Sequence, residues 1–448
     1  MKIKSFDLYV KDKISAFNKI IRVDSDKSLS IRSFLIGSIC QNVSTVKNVL
    51  ESEDVKSTIL ACKKLGVKIK KFKSKSYKIF GKGLGSLSIK KNGVLNFANS
   101  GTLARLLIGI LSTTPNIRVN LHGDHSLNKR SMKKLIDLCS MFGATFIPKN
   151  KTTFPLKMIS SQFPVGISYR SGVSAQLKSA AILAGLNSYG QTNIYEKKIS
   201  RDHTENLLLK NSHTIKIEKL KKKIIKIDGK KNLKPIDVNI SGDPSSAAFF
   251  TALTLLNLNS SIKIKDVGLN PTRIGFYKIL KKHNADIKFL NLRKKNNEIS
   301  GDILVRNSKI KPLKVPASMY PSTTDEYLLL FCIAGLVKGV SKFSGISDLS
   351  NKESSRALEM KKILNQIGVK SKLTKNNMKI YGNGMINTSK RRIHVGNLGD
   401  HRVAMCAFIL AVLTETPTHI KNFETVFTSS PSFLRIMKYL GAKFEIQK

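Results

Sequence analysis

An internal repeat constrains the fold most, because the same pair of patterns occurs six times along the chain. The first pattern is a turn of small or polar residues that opens an apolar run. The turns are Asp26-Lys27-Ser28, Asn99-Ser100-Gly101-Thr102, Ser171-Gly172-Val173-Ser174, Gly242-Asp243-Pro244-Ser245, Thr324-Asp325-Glu326 and Gly399-Asp400-His401. The runs are apolar on nearly every side, so they predict buried helices, and the Asp, Ser and Thr residues at their starts are natural N-caps.

The second pattern follows roughly forty residues later and is an amphipathic stretch that ends in Gly or Asn before a short strand. The endings are Leu65-Gly66-Val67, Phe142-Gly143-Ala144, Asn211-Ser212-His213, His283-Asn284-Ala285, Ile367-Gly368-Val369 and Leu440-Gly441-Ala442. Each repeat spans roughly 75 residues, which is longer than solenoid repeats. A chain of 448 residues is also too long for one core. We therefore expect two domains of three repeats, with the seam near Lys234–Asp237.

Composition restricts the function less than the repeat restricts the fold. The net charge of +49 suits anionic partners, but the lysines are scattered along the whole chain, as a compositional bias would produce. The five cysteines form no CxxC pair, which predicts buried free thiols in a reducing cytoplasm. No stretch approaches the ~20 apolar residues of a membrane helix, and the start lacks a signal-like apolar region. The histidines form no ligand pattern, so we expect no metal.

The repeat itself predicts an anion site. Each helix N-terminus carries about half a positive charge, so two domains that face each other with these ends inward enclose an anion-attracting cleft. Charged residues cluster at the starts of the first and second helices: Lys27, Arg32, Arg105, Arg130, Arg201, Asp325, Lys352, Glu353, Arg356, Asp400 and Arg402, with Asp243 and Arg273 in the fourth repeat. Arg forks suit ligands with several negative charges, and Asp325 and Glu353 are candidates for proton transfer. For any one Asp at such a start, N-capping is the simpler explanation.

A series of longer motifs covers nearly the whole chain. They are Asp26-Lys27-Ser28-Leu29-Ser30-Ile31-Arg32, Asn99-Ser100-Gly101-Thr102 with Arg105, Ser174-Ala175-Gln176-Leu177-Lys178-Ser179, Arg201-Asp202-His203-Thr204-Glu205, Gly242-Asp243-Pro244-Ser245-Ser246, Asn270-Pro271-Thr272-Arg273, Asp325-Glu326, Lys352-Glu353-Ser354 with Arg356, and Asp400-His401-Arg402. In sequence and in order, these motifs resemble those of the 5-enolpyruvylshikimate-3-phosphate synthase family of enolpyruvyl transferases.

The resemblance implies an α/β fold, a two-domain inside-out α/β barrel in which each domain has three βαβαββ units with buried parallel helices. Residues 23–237 then form the N-terminal-type domain. Residues 1–22 join 238–448 in the C-terminal-type domain, and the active site lies in the cleft between them. The implied protein is a cytoplasmic monomer of the shikimate pathway for aromatic amino-acid biosynthesis, without cofactor, membrane or specific nucleic-acid partner.

The implied reaction moves the enolpyruvyl group of phosphoenolpyruvate to the 5-hydroxyl of shikimate 3-phosphate, a 3-phosphoshikimate 1-carboxyvinyltransferase activity. By resemblance, the shikimate 3-phosphate site comprises Lys27, Ser28, Arg32, Ser174, Ala175, Gln176, Arg201, Asp325 and Lys352. The phosphoenolpyruvate site comprises Lys27, Gly101, Arg130, Arg356 and Arg402. Lys27, Asp325 and Glu353 are the implied catalytic residues, with the division of acid and base duty among them left open.

The chain departs from the family pattern at three places. Asp24-Ser25 stands where the family usually has Pro-Gly, Ser131 replaces a common Pro, and Ser355 replaces the usual Asp in KESDR. Ser355 changes the charge balance near Glu353 and Arg356. Gly101 is retained, and because a larger residue there tends to exclude glyphosate in this family, the resemblance predicts that glyphosate binds.

Three other functional classes fit the sequence less well. The sister enolpyruvyl transferase acting on UDP-N-acetylglucosamine has Lys-Asn at the start and a reactive Cys in its second unit, whereas here Ser28 follows Lys27 and the segment from Pro115 to Arg130 has no Cys. A nucleic-acid-binding protein would show a basic face with interleaved aromatics, but aromatic content is 7% and there is no Trp. An inactive paralogue is disfavoured by the intact Lys27, Asp325, Glu353 and Arg402.

Overall fold

The fold consists of two compact units, seen in a computed structural model that describes residues 5–219, 223–384 and 390–448. The N-terminal unit comprises Ser25–Ser241 together with Lys294–Glu298. The C-terminal unit comprises the described residues up to Asp24, Gly242–Arg293 and the described residues from Ile299 onward. Each unit has its own hydrophobic core.

Fourteen α-helices occur in the described ranges. They are α1 (Lys27–Ile39), α2 (Glu53–Lys64), α3 (Gly101–Ser112), α4 (His125–Asn128), α5 (Lys133–Met141), α6 (Ala175–Gly185), α7 (His203–Leu208), α8 (Pro244–Leu256), α9 (Gly275–Lys282), α10 (Tyr320–Thr323), α11 (Tyr327–Leu336), α12 (Arg356–Gln366), α13 (His401–Thr414) and α14 (Phe433–Tyr439). Short 3-10 helices cover Ala317–Met319, Ser347–Asn351 and Phe423–Thr428.

The strands in the same ranges form six sheets, each of four strands. They are β1 (Asp7–Val10), β2 (Asn18–Ile21), β3 (Val43–Lys47), β4 (Lys68–Lys73), β5 (Ser76–Phe80), β6 (Gly93–Asn96), β7 (Arg118–His122), β8 (Thr145–Ile147), β9 (Leu156–Ile159), β10 (Ser168–Ser171), β11 (Gln191–Glu196), β12 (Ile215–Lys219), β13 (Lys223–Asp228), β14 (Asp237–Asn239), β15 (Ser261–Gly268), β16 (Asp286–Lys295), β17 (Glu298–Arg306), β18 (Lys314–Val315), β19 (Gly339–Ser344), β20 (Lys370–Leu373), β21 (Asn377–Gly382), β22 (Ile393–Val395), β23 (Thr418–Ile420) and β24 (Glu445–Gln447).

All six sheets share one topology, which confirms the sixfold repeat. The strand orders are β14-β3-β5-β4, β6-β7-β9-β8, β10-β11-β13-β12, β2-β15-β17-β16, β18-β19-β21-β20 and β22-β23-β1-β24. In every sheet the first strand of this order pairs in parallel with the second, and the second pairs antiparallel with the third. The mixed α/β fold class predicted from the sequence is confirmed.

The six apolar runs are buried helices, as predicted: α1, α3 and α6 in the N-terminal unit, and α8, α11 and α13 in the C-terminal unit. Every residue of α8, α11 and α13 is buried. A helix that is apolar around its whole circumference avoids water only when other elements cover every side, so each unit has helices inside and sheets outside.

Five of the six predicted N-caps are confirmed, because side-chain oxygens of Asp26, Ser100, Ser174, Asp243 and Asp400 accept hydrogen bonds from first-turn backbone N–H groups. The prediction is wrong for the fifth run. There, α11 begins after Glu326, whose side chain makes no capping bond. The Asp325 carboxylate lies 3.7 Å from the Arg273 guanidinium instead.

The amphipathic helices end where the sequence indicates in five repeats, with positive φ at Gly66, Gly143, Asn284, Gly368 and Gly441. The exception is α7, which ends at Leu208, before the predicted Asn211. A strand follows each of these six helices, and these strands are β4, β8, β12, β16, β20 and β24.

The divisions between the units fall after Asp24 and after Ser241, whereas the sequence prediction placed them after residues 22 and 237. The second shift has a clear cause, because β14 pairs in parallel with β3. At the first division, the Asp24 carboxylate accepts hydrogen bonds from the backbone N–H and the hydroxyl of Ser432, both at 2.8 Å. Asp24 is thereby fixed in the C-terminal unit, with which β1 and β2 also pair. Residues 1–4 of the predicted C-terminal domain lie outside the described ranges.

The five cysteines are free and buried, as expected. Burial raises the pKa of the Cys62 thiol to about 11 and that of Cys40 and Cys139 to about 12. These thiols therefore remain protonated near neutral pH and are poor nucleophiles. No helix within the described ranges is long and apolar enough to cross a membrane.

Close packing of α3 against α6 generates a stability prediction. A Cβ on Gly109 would lie 2.8 Å from the carbonyl oxygen and 2.9 Å from the Cα of Ala180. Because backbone cannot yield as a side chain can, we expect Gly109→Ala to lower the free energy of unfolding by about 1–3 kcal/mol, measured by urea denaturation.

Gly335→Ala is the matched control, since Gly335 also lies in a fully buried helix. Its added Cβ would lie 2.8 Å from the flexible end of Leu364. Equal destabilisation by both substitutions would contradict the backbone-contact explanation.

Candidate active site

The sequence-predicted site residues divide between the two units. The N-terminal unit holds Lys27, Ser28, Arg32, Gly101, Arg130, Ser174, Ala175, Gln176 and Arg201, and the C-terminal unit holds Asp325, Lys352, Glu353, Arg356 and Arg402. The two groups are described separately below.

Lys27 begins α1, and its ammonium lies 3.1 Å from a carboxylate oxygen of Asp54 in the first turn of α2. The Lys27 side chain is 17% exposed and that of Asp54 is 8% exposed. The Asp54 carboxylate holds this largely buried ammonium in a fixed position. Lys27 can therefore meet an anion without first being ordered.

Arg32 joins three helices beneath the start of α1. Its Nε donates to the Thr204 hydroxyl at 2.9 Å, and its Nη2 donates to the Ser179 hydroxyl at 3.3 Å. Its Nη1 donates to the carbonyl of Ser28 at 3.2 Å. Since Ser179 lies on α6 and Thr204 on α7, these bonds place Ser28 and Arg32 beside the N-terminal halves of both helices.

The first turns of α3 and α6 are also joined directly. Nη1 of Arg105 donates to the Gly101 carbonyl at 3.1 Å and to Oε1 of Gln176 at 2.9 Å. The amide nitrogen of Gln176 then donates to the Thr102 hydroxyl at 2.9 Å. The predicted residues Gly101 and Gln176 are therefore brought together, with Arg105 as the link.

Arg130 lies between α4 and α5. Its Nη2 donates to Oδ1 of Asn99 at 2.6 Å and to the Ser126 hydroxyl at 3.2 Å. Because Asn99 precedes α3, these bonds hold Arg130 close to Gly101. A Cβ added to Gly101 would lie 3.4 Å from Nη1 of Arg130.

Ser174 caps α6, where its hydroxyl accepts the N–H of Leu177 at 3.4 Å, and Ala175 is the first residue of that helix. Both residues are partly exposed. Arg201 is partly exposed in the segment before α7. The N-terminal unit thus gathers cationic side chains and the starts of α1, α3 and α6 into one region, which suits a ligand with several negative charges.

In the C-terminal unit, the Asp325 carboxylate lies among three guanidinium groups. Its oxygens are 3.7 Å from Arg273, 3.9 Å from Arg356 and 3.7 Å from Arg402. The Asp325 side chain is 23% exposed, so the carboxylate is held in place but remains reachable.

Arg356 is buried against two further carboxylates. Its Nε donates to Asp400 at 2.9 Å, and its Nη2 donates to Glu353 at 2.6 Å. The Ser354 hydroxyl also donates to Asp400, at 2.9 Å. Burial alone would lower the pKa of Arg356, but the attraction of Asp400 and Glu353 outweighs it and raises the pKa above its ordinary value.

Arg273 supports Asp325 from a buried position. Its Nη2 donates to Asp243 at 2.9 Å and to the Ser245 hydroxyl at 3.0 Å. Burial would raise the pKa of Asp243, yet Arg273 and Arg402 hold it below its usual range. The carboxylate therefore stays charged and fixes the guanidinium.

Lys352 precedes α12, and its ammonium donates to Asp348 at 2.6 Å. The Lys352 side chain is 24% exposed. The C-terminal unit thus places the carboxylates of Asp325 and Glu353 close to cationic side chains, an arrangement that suits proton transfer beside a bound anion.

Two family departures have visible local consequences. The Ser131 hydroxyl accepts the N–H of Lys133 at 3.3 Å and so assists the start of α5. Ser355 occupies the N-cap of α12 without a side-chain bond to the helix. The nearby carboxylate partners of Arg356 are Glu353 and Asp400, neither of which this substitution removes.

Sequence reasoning missed two carboxylates that orient predicted lysines. Asp54 pairs with Lys27 from the neighbouring helix, a contact that no sequence spacing encodes. Asp348 pairs with Lys352 at the i, i+4 spacing, so a search for such pairs would have found it.

Comparisons with known proteins identify the family of this chain. Residues 11–437 match the model of the EPSP synthase (3-phosphoshikimate 1-carboxyvinyltransferase) family. A 3-phosphoshikimate 1-carboxyvinyltransferase of Paramagnetospirillum magneticum is 35% identical over 424 residues, covering 94% of both chains. One of Petrotoga mobilis is 35% identical over 424 residues, covering 94% of this chain and 96% of its own.

Solved structures give the same result. EPSP synthase from Acinetobacter baumannii matches with a TM-score of 0.84 and 31% identity, covering 99% of this chain and 100% of that one. The enolpyruvyl transferase NikO from Streptomyces tendae shares the fold at 12% identity, with a TM-score of 0.76 and 99% of each chain covered. The family match over most of the chain and the identity with full-length relatives establish that this chain belongs to the EPSP synthase family.

Proposed function

We propose that this chain transfers the enolpyruvyl group of phosphoenolpyruvate to the 5-hydroxyl of shikimate 3-phosphate and releases inorganic phosphate. The observation that carries the proposal is the partly exposed Asp325 carboxylate among Arg273, Arg356 and Arg402, with Glu353 bound to the same Arg356. Such a grouping suits proton transfer next to an anionic substrate.

Shikimate 3-phosphate is proposed to use the polar helix starts of the N-terminal unit. Ser28 and Arg32 hold its carboxylate, while Ser174, Ala175 and Arg201 hold its phosphate with Lys352. Gln176, fixed by Arg105, lies along the ring. Asp325 accepts hydrogen bonds from the ring hydroxyls, and Lys27 contacts this substrate as well as the second one.

Phosphoenolpyruvate is proposed to bind through its two anionic groups. Lys27, the backbone at Gly101 and Arg130 hold its phosphate, and Arg356 and Arg402 hold its carboxylate. Two polyanions repel each other in water, so fixed cations offset that repulsion. Guanidinium groups already held by carboxylates lose little freedom on binding, which lowers the barrier further.

The chemistry follows from protonation of the phosphoenolpyruvate methylene carbon. The proton creates a cation-like centre at C2, and the 5-hydroxyl attacks that carbon while losing its own proton, giving a tetrahedral ketal phosphate. Loss of a proton from the new methyl group then expels inorganic phosphate by C–O cleavage. In our proposal Glu353 donates the proton to the methylene carbon and later removes a proton from the methyl group. Asp325 takes the hydroxyl proton, and Lys27 stabilises the departing phosphate.

We further propose a cytoplasmic monomer. Five buried free thiols suit a reducing compartment, and the substrate-binding residues proposed here all come from one chain.

The decisive experiment measures phosphate release from phosphoenolpyruvate with three acceptors: shikimate 3-phosphate, shikimate and UDP-N-acetylglucosamine. We expect release with shikimate 3-phosphate and much slower or no release with the others. Release with the nucleotide sugar alone would assign the chain to the sister reaction, and folded protein inactive with every acceptor would refute the proposal.

Isosteric substitutions test the two carboxylates. We expect Asp325→Asn and Glu353→Gln each to lower kcat by about 10²–10⁴, because each removes a proton acceptor but retains the shape of the side chain. Glu353→Gln should also slow deuterium incorporation from D₂O into the product methylene group. Glu359→Gln, on the outer part of α12 and paired with Lys362, is the control. Near-normal kcat in the Glu353 variant would remove it from the mechanism.

Glyphosate tests the phosphoenolpyruvate site. We expect inhibition that phosphoenolpyruvate relieves, and a rise of about tenfold or more in the inhibitory concentration for Gly101→Ala. The added Cβ would lie 2.6 Å from Nη1 of Arg105, so the Arg105 side chain must shift, and it would be in van der Waals contact with Nη1 of Arg130 at 3.4 Å. An inhibition curve that stays flat at high glyphosate concentration would contradict the prediction.

A further inference from the structure

A buried cluster of four charged side chains lies in the N-terminal unit, outside the residues assigned to substrate. Lys178 and Lys223 alternate with Glu196 and Glu205. The Lys178 ammonium is 2.9 Å from Glu196 and 2.7 Å from Glu205, and the Lys223 ammonium is 3.0 Å and 3.2 Å from the same two carboxylates. Lys223 is 9% exposed at its side chain and the other three are 0% exposed.

The cluster balances its own charge. Burial would raise the pKa of Glu196, but Lys178 and Lys223 lower it below its usual value. Burial would likewise lower the pKa of Lys223, but Glu205 and Glu196 raise it. Each of the two lysine nitrogens lies within ion-pair distance of both glutamate side chains.

The cluster holds the segment that carries Arg201. Oε1 of Glu196 accepts the backbone N–H of Ser200 at 2.8 Å and the Ser200 hydroxyl at 2.7 Å. The Lys178 ammonium donates to the Ser200 carbonyl at 3.3 Å. All polar groups of Ser200 are thus bound on the residue directly before Arg201, and Ser200 is 1% exposed.

Lys178 also connects this segment to the start of α6. It lies one helical turn after Ser174, and its backbone N–H donates to the Ser174 carbonyl at 3.2 Å. On the other side of Arg201, Glu205 lies on α7 next to Thr204, whose hydroxyl is 2.8 Å from that of Ser179 on α6. The segment is consequently fixed to α6 both before and after Arg201.

We propose that Lys178 and Glu196 are positioning residues that set Arg201 against Ser174 for the phosphate group of the acceptor substrate. This inference rests on the function proposed above, in which those two residues bind that phosphate. Burying four charges costs solvation energy, and apolar residues of similar volume commonly stabilise a core at least as well. What apolar residues lack is the directional bonding that fixes the backbone of Ser200 at one place.

The test compares the dissociation constants of shikimate 3-phosphate and shikimate by titration calorimetry, because their ratio isolates the phosphate contribution. We expect Glu196→Gln to reduce that ratio by about tenfold or more, and Ser200→Ala, which retains the backbone bond, by a few-fold. The KM for shikimate 3-phosphate should rise in parallel, while shikimate affinity stays close to that of the unsubstituted protein.

Ser188→Ala is the matched control, since Ser188 is 0% exposed just past the other end of α6 and its hydroxyl donates to a backbone carbonyl at 3.0 Å. An unchanged ratio in folded Glu196→Gln protein overturns the inference, as does an equal change in the Ser188 variant. If Glu196→Gln does not fold, an unchanged ratio in Ser200→Ala overturns it.

The inference and the proposed function can fail separately. Binding does not require turnover, so an unsubstituted protein that binds shikimate 3-phosphate without releasing phosphate refutes the proposed function and still allows the ratio to be measured. Equal affinity of the unsubstituted protein for shikimate 3-phosphate and shikimate overturns the inference directly.

Discussion

Burial of six helices on all sides is the constraint on which the rest of this structure depends. When neighbouring helices and strands together cover the whole circumference of helices such as α8, α11 and α13, only the helix ends can face water. Polar chemistry must then occur at those ends, where unsatisfied backbone groups and the helix dipole favour anions at the N-terminus. The proposed substrate residues follow this rule: Lys27 begins α1, Gly101 begins α3 and Ala175 begins α6.

Much of the fold was predictable because it depends on local signals repeated six times. Apolar runs identify the buried helices, and Gly or Asn marks the ends of most amphipathic ones. The errors have local causes. Asp325 was expected to cap a helix, but its carboxylate lies among three arginine side chains instead. The predicted division after residue 237 precedes the observed one after Ser241, because the pairing of β14 with β3 is a long-range contact without a sequence signature.

Sequence motifs name the candidate site residues, but they do not indicate which side chains hold those residues in position. Motifs identify Lys27, Arg356 and Arg402, and the structure adds the groups that hold such side chains, including Asp54. Several of these supports come from distant parts of the chain, as with Arg105 and Gln176. Motif resemblance identifies chemical groups, whereas the interactions that orient them arise from tertiary packing.

The return of the chain to pair with β1 has a consequence for synthesis on the ribosome. Strand β1 pairs with β23 and β24, so that Asp7 bonds His419 across a separation of 412 residues. Translation completes Ser25–Ser241 long before β23 exists, and β1 must remain without these partners throughout that interval. Such an apolar edge invites pairing with other nascent chains. Folding of the C-terminal unit is therefore completed only when β1 pairs with strands made much later, and closure of so distant a contact is slow.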